Sequence, residues 1–134
     1  LVREEGDLLI ALADTGKDYA PKLFATGVWN DHPYLVMEFI RTPPAFPEGI
    51  IRNPDELRTL KIMKEVFSFL NLLHNRLNRA YPDMKPDNFF WDDQENRLRV
   101  IDFGGLSPIK GTSDSDYRAQ SDVLSASSYF FTAL

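Results

Sequence analysis

The sequence predicts an α+β fold, and three observations predict it. From Leu57 to Leu77 the apolar residues Leu60, Met63, Val66, Phe67, Leu70, Leu73 and Leu77 recur every three or four positions, the stripe of an amphipathic helix packed on one side. Residues 21–30 and 33–40 read as two antiparallel strands joined at Asn30-Asp31-His32-Pro33. Phe89 to Ile101 reads as a second unit of strand, polar turn and strand.

Composition narrows the class. The 134 residues are enough for one domain with a core, and 43% hydrophobic with 13% aromatic residues argue for a folded segment. A net charge of −5 gives no basic footprint, so nucleic acid is not expected as a partner. No apolar run approaches the ~20 residues of a membrane span, and no membrane association is expected. There is no signal-peptide pattern. The absence of cysteine excludes disulfides and thiolate metal sites and fits a reducing, cytoplasmic setting.

The elements follow in order. Residues 2–14 read as a helix stopped by Thr15-Gly16-Lys17-Asp18. After the first hairpin, Arg41 to Pro54 holds Pro43, Pro44, Pro47, Pro54 and a glycine, and reads as a linker. Asn53 is placed to cap the next helix, with Pro54 in its first turn and Asp55-Glu56 at the positive end of the dipole. If helical throughout, the stretch from Leu57 to Leu77 is about 30 Å long. Residues 105–120 read as polar loop and 121–134 as a helix whose second half is almost wholly apolar. A helix apolar on most faces must be buried within a larger body.

Between these elements lies a run rich in chemistry. Asp83-Met84-Lys85-Pro86-Asp87-Asn88 is followed, fourteen residues after Asn88, by Asp102-Phe103-Gly104. Transfer of a phosphoryl group needs a carboxylate to orient the attacking hydroxyl, a cation near the group in flight, and oxygen ligands for Mg²⁺. Asp83, Lys85, and the pair Asn88 and Asp102 can fill those roles in turn. Read singly, each has a plainer use: a turn aspartate, a solvated lysine, a turn cap, an aspartate in a tight turn.

The two motifs resemble the catalytic loop and the D-F-G of the protein kinase superfamily. The resemblance reaches over nearly the whole chain. Residues 3–12 are similar to its regulatory helix C, with Glu5 in the place of the ion-pairing glutamate. Residues 34–40 are similar to the strand entering the hinge between lobes. Ser121-Asp122-Val123-Leu124-Ser125 is similar to the opening of helix F. The resemblance implies a partial kinase-like fold, with 1–40 in the small lobe (helix C, two strands, start of the hinge) and 41–134 in the large lobe through helix F. It implies ATP and Mg²⁺ as cofactors and a protein substrate. It also implies a Gly-rich loop and a lysine-bearing strand before Leu1 and further helices after Leu134, so the exposed helix F would be covered by the rest of such a domain or by a partner. Asp83, Lys85, Asn88 and Asp102 would be catalytic, with Asn88 and Asp102 on the metal. Met37 would be the gatekeeper, the Glu38 C=O and Ile40 N–H would meet the adenine edge, and Phe90 would floor it.

The pattern departs from the family in two places. Tyr81-Pro82 stands where His-Arg is usual, which removes the cation that pairs with a phosphorylated activation loop. Pro82 also lacks an N–H, so one backbone bond to Asp122 should be missing. Only seventeen residues separate Gly104 from Asp122, with no A-P-E motif among them. No lysine of the chain lies upstream of Glu5, and His32 and His74 draw no catalytic role. Three readings stay open: a Ser/Thr protein kinase-like domain, of little activity as this chain alone; a pseudokinase or interaction module; and a small-molecule phosphotransferase of the aminoglycoside or choline kinase type.

Overall fold

Helix α1 (Val2–Asp14) ends where the sequence stops it, at Thr15 and at Gly16, whose φ of 74° is the left-handed conformation that glycine adopts without penalty. The structure, a computed structural model, describes residues 2–46, 55–109 and 115–131. Leu8, Leu9 and Leu12 are buried, so α1 turns an apolar face inward. Strands β1 (Leu23–Trp29) and β2 (His32–Met37) pair antiparallel, from Trp29 opposite His32 to Leu23 opposite Met37. Their turn is tighter than the sequence suggested. Asn30 and Asp31 both take positive φ, 49° and 63°, which makes a two-residue connection that leaves His32 and Pro33 in the strand.

Helix α2 (Glu56–Asn71) is capped by Asp55, whose side chain accepts the Arg58 N–H at 3.1 Å. The expected cap at Asn53 and Pro54 lies outside the described residues, and the described helix opens two positions later than that reading placed it. The buried stripe is also rotated. Ile62, Val66, Phe69, Leu70 and Leu73 are buried, whereas Leu60 is 43% exposed. Period alone fixes the spacing of such a face; its phase is set by what the helix packs against, here the strand Arg97–Val100 and the helix Ser115–Phe131.

From Leu72 to Leu77 the helix widens into a π-turn, ended by Asn78 in the left-handed conformation at φ 56°. Strand β3 (Arg79–Ala80) then pairs with β6 (Ser107–Pro108), which lies in the stretch expected to be loop. Strands β4 (Phe89–Asp92) and β5 (Arg97–Val100) form the expected hairpin. The Asp92 carboxylate accepts the N–H groups of Gln94 and Glu95 and so shapes its turn. Helix α3 (Ser115–Phe131) starts six residues before the expected 121. Its first turns are polar, and Tyr117 and Gln120 are exposed, so they carry no inward-facing period to read.

The core is aromatic at its centre. Phe69 touches Tyr19, Tyr81 and Phe103 edge-on, with ring centroids 5.4, 5.8 and 6.2 Å away. Phe130 of α3 packs against Phe46 and Phe67. Among the described residues no helix is long and apolar enough to cross a membrane.

Candidate functional site

The loop between β3 and β4 carries the first motif. Its ends are held by backbone bonds: Tyr81 N–H donates to Asp122 Oδ2 at 2.6 Å, and Ile101 N–H donates to Asn88 C=O at 3.1 Å. A 3₁₀ turn over Pro86–Asn88, with proline at its start, brings Asn88 back toward Asp83. Asn88 Nδ2 donates to the Asp83 C=O at 3.0 Å and stands 3.4 Å from Asp83 Oδ2. That leaves the amide oxygen of Asn88 turned away from Asp83. Lys85 Nζ donates to Asp83 Oδ2 at 2.8 Å.

Asp102 comes from the other side, two residues beyond β5. Though not a glycine, it takes a positive φ of 67°. A left-handed conformation costs roughly 1–2 kcal/mol outside glycine, and such costs gather where a side chain must be aimed. Asp102 lies close enough to Asp83 and Lys85 for its charge to bear on theirs. The structure thus brings Asp83, Lys85, Asn88 and Asp102 into one cluster, as the spacing required.

Electrostatics keep Asp83 and Lys85 ionised. The Lys85 ammonium, first, and then the Asn88 amide hold the Asp83 carboxyl below the usual carboxylate range, against a weaker push from burial. Asp83 in turn raises Lys85. Both side chains are 44% exposed, so a substrate can reach them. Among the described residues no three His, Cys, Asp or Glu side chains converge on one point. Two carboxylates and an amide are nonetheless the hard oxygen donors that suit Mg²⁺, which keeps several waters and takes phosphate oxygens for the rest.

The expected nucleotide residues lie along one path. Met37 ends β2, half-buried against the core. Glu38, Phe39 and Ile40 follow, and no backbone hydrogen bond takes up the Glu38 C=O or the Ile40 N–H among the described residues. Phe90 sits on β4, on the face opposite buried Phe89 and Trp91, bridged to Pro44 just past the connector. Glu5 stands apart from the four. It lines a cavity of about 360 Å³ with Phe103, Gly104 and Arg79, on the α1 side of the D-F-G turn. No ion pair engages it among the described residues.

No protein-family profile matches the chain. It is 36% identical over 86 residues to calcium-dependent protein kinase 3 of Plasmodium yoelii yoelii, covering 62% of this chain and 16% of that protein. It is 32% identical over 90 residues to calcium-dependent protein kinase 5 of Plasmodium berghei, covering 64% and 16%. The solved kinase PK-1 of Cydia pomonella granulovirus superposes with a TM-score of 0.74 over 97% of this chain and 53% of its own, at 20% identity. The fold is that of part of a protein kinase domain. The chain spans about one sixth of the length of the curated relatives it matches, and its α+β architecture is that of a kinase.

Three residues of this kinase-like domain escaped the sequence reading. His74, given no role, lies on the π-turn with its Nε2 2.8 Å from Asp122 Oδ2, the oxygen that also accepts Tyr81 N–H. An ionised carboxylate only accepts, so His74 Nε2 carries the proton. The imidazole thus adds a second donor to Asp122, where Pro82 offers none. Tyr81 sends its hydroxyl to the Ile101 C=O at 2.6 Å and its ring against Phe103, so it ties the two motifs together. Arg99 is buried on β5 and paired with Glu38. Only Tyr81 could have been singled out beforehand, from its place in the first motif.

Proposed function

We propose that the protein transfers the γ-phosphoryl group of ATP to a serine or threonine hydroxyl, with residues 1–40 belonging to a small lobe and 41–134 to a large one. The observation that carries this is the convergence of Asp83, Lys85, Asn88 and Asp102 on one point. Asp83 orients the substrate hydroxyl and accepts its proton as the new P–O bond forms and the bond from the γ-phosphorus to the bridging oxygen breaks, releasing ADP. Lys85, held against Asp83, sets positive charge beside the phosphates. Asn88 and Asp102 would hold Mg²⁺, which when bound neutralises phosphate charge. The Glu38 C=O and Ile40 N–H take the adenine edge, with Met37 behind it and Phe90 beneath. Hydroxyl specificity is drawn from the relatives, one of them a probable serine/threonine-protein kinase of Dictyostelium discoideum, 30% identical over 61 residues.

A second reading, a fold kept for binding after catalysis was lost, is favoured by one observation: Tyr81-Pro82 stands where the family usually has His-Arg. The experiment that tests the first is phosphate transfer from Mg-ATP to a serine/threonine peptide library by the intact protein. Asp102→Ala should abolish transfer, and Asp83→Asn should lower kcat by about 10²–10⁴-fold. Mg-ATP binding without transfer to any peptide, sugar or amino alcohol would select the second reading.

A further inference from the structure

Arg99 lies three residues before Asp102, on the strand that delivers that acid, and only 3% of it is exposed. Its Nη2 donates to Glu38 Oε2 at 2.7 Å and its Nη1 to Oε1 at 3.3 Å. Such a fork fixes a carboxylate in orientation as well as distance. Nη2 also donates to the Ala20 C=O at 3.1 Å, and the Asp18 carboxylate stands 3.6 Å from Nη1. Glu38 Oε2 accepts the Lys22 N–H, while the Glu38 N–H donates to the Lys22 C=O. One guanidinium therefore fastens both ends of the β1–β2 hairpin, at residues 20 and 38, to β5.

The far end of the connector is tied separately. Trp91 N–H donates to the Pro43 C=O and Ala45 N–H to the Phe89 C=O, each at 2.9 Å. Between the two ties, residues 39–42 make no backbone hydrogen bond among the described residues, and Phe39 is 83% exposed. Stability gives a poor reason for the Arg99 pair. An ion pair with one buried partner gains little beyond its desolvation cost, and Arg99 Nε is buried with no acceptor among the described residues.

We propose that Arg99 is a positioning residue: it holds Glu38 so that the Glu38 C=O and Ile40 N–H keep the spacing an adenine edge needs, in register with Asp102 on the same strand. The inference rests on the nucleotide reading above and adds to it the group that aligns the two ends of the cleft. Removing the guanidinium loosens the adenine end and leaves the phosphate end in place.

The test uses the intact protein and two probes, Mg-ATP and Mg-tripolyphosphate, which share phosphates and differ in the adenosine. Arg99→Met and Glu38→Gln should each weaken Mg-ATP about tenfold and change Mg-tripolyphosphate by less than about twofold. Arg99→Lys, which keeps the charge and loses the fork, should recover part of the affinity. Amide hydrogen exchange at residues 39–42 should quicken in the first two variants. Glu38→Gln, at a half-exposed side chain, carries the test if Arg99→Met does not fold. Equal weakening of both probes, or unchanged Mg-ATP affinity, overturns the positioning role. If the unaltered protein binds neither probe, the nucleotide reading falls and takes the proposal with it.

Discussion

Asp83 and Tyr19 titrate in opposite directions for opposite reasons. Lys85 holds the Asp83 carboxyl below its ordinary range, so a group with a depressed pKa keeps its ionised form until pH falls through that lowered value. The acid limb of the transfer rate against pH should therefore lie below the usual carboxylate range. Lys85→Met should move it upward, and a limb that stays put in that variant would remove Lys85 from this role. Tyr19 is buried beside Glu65, its hydroxyl donating to Oε2 at 3.2 Å. Burial first, and then the Glu65 charge, pushes its pKa up to about 12. A raised folded-state pKa gives a contribution that is complete below the unfolded value near 10 and is lost as pH rises through about 12. Urea midpoints should fall across that alkaline window, and Tyr19→Phe should flatten part of the fall. Burial pushes Tyr81 up as well, so some slope should persist in the variant.

Helix α2 carries the sharpest contrast between two neighbouring apolar faces. Phe69 is fully buried and meets three aromatic rings, so Phe69→Ala should cost about 3–5 kcal/mol by urea denaturation. Leu60, though part of the periodic pattern, is largely outside, and Leu60→Ala should stay within about 0.5 kcal/mol. A large loss at Leu60 would mean the helix is rotated from the orientation described. The same contrast explains what the sequence could and could not announce. The ends of α1 and the turns of both hairpins were legible because glycine, asparagine and aspartate mark left-handed backbone locally. The phase of α2 was not, since Ile62 and Phe69 face inward only because β5 and α3 lie there. The π-turn at Leu72–Leu77 left no mark in the pattern either, although it is what carries His74 to Asp122.

Across the whole molecule, the candidate site was legible where short motifs mark its residues, and hidden where the fold alone unites residues that no motif contains. The cluster of Asp83, Lys85 and Asn88 spans six positions, while His74 and Asp122 are 48 apart and Glu38 and Arg99 are 61 apart. Burial of an arginine that far from its carboxylate has no signature in a single sequence. On the surface the greasy exposure falls elsewhere than expected, since Phe130 in the apolar second half of α3 is buried against Phe46 and Phe67. Phe24, Val28 and Trp29 of β1 and Val123 and Leu124 of α3 face outward. Apolar patches of this kind seek cover in water. The 134-residue chain should therefore self-associate, with its weight-average mass by sedimentation rising with concentration, and Trp29→Ser combined with Leu124→Glu should restore a monomer. Two tryptophans report on the event from opposite positions. Trp29 is 72% exposed and Trp91 is 1% exposed, so acrylamide should quench Trp29 less as the chain associates and leave Trp91 unquenched throughout. A chain that stays monomeric at every concentration, with Trp29 fully open to quencher, would show that these faces do not drive association. The cover that this kinase-like domain needs would then have to be sought elsewhere on its surface.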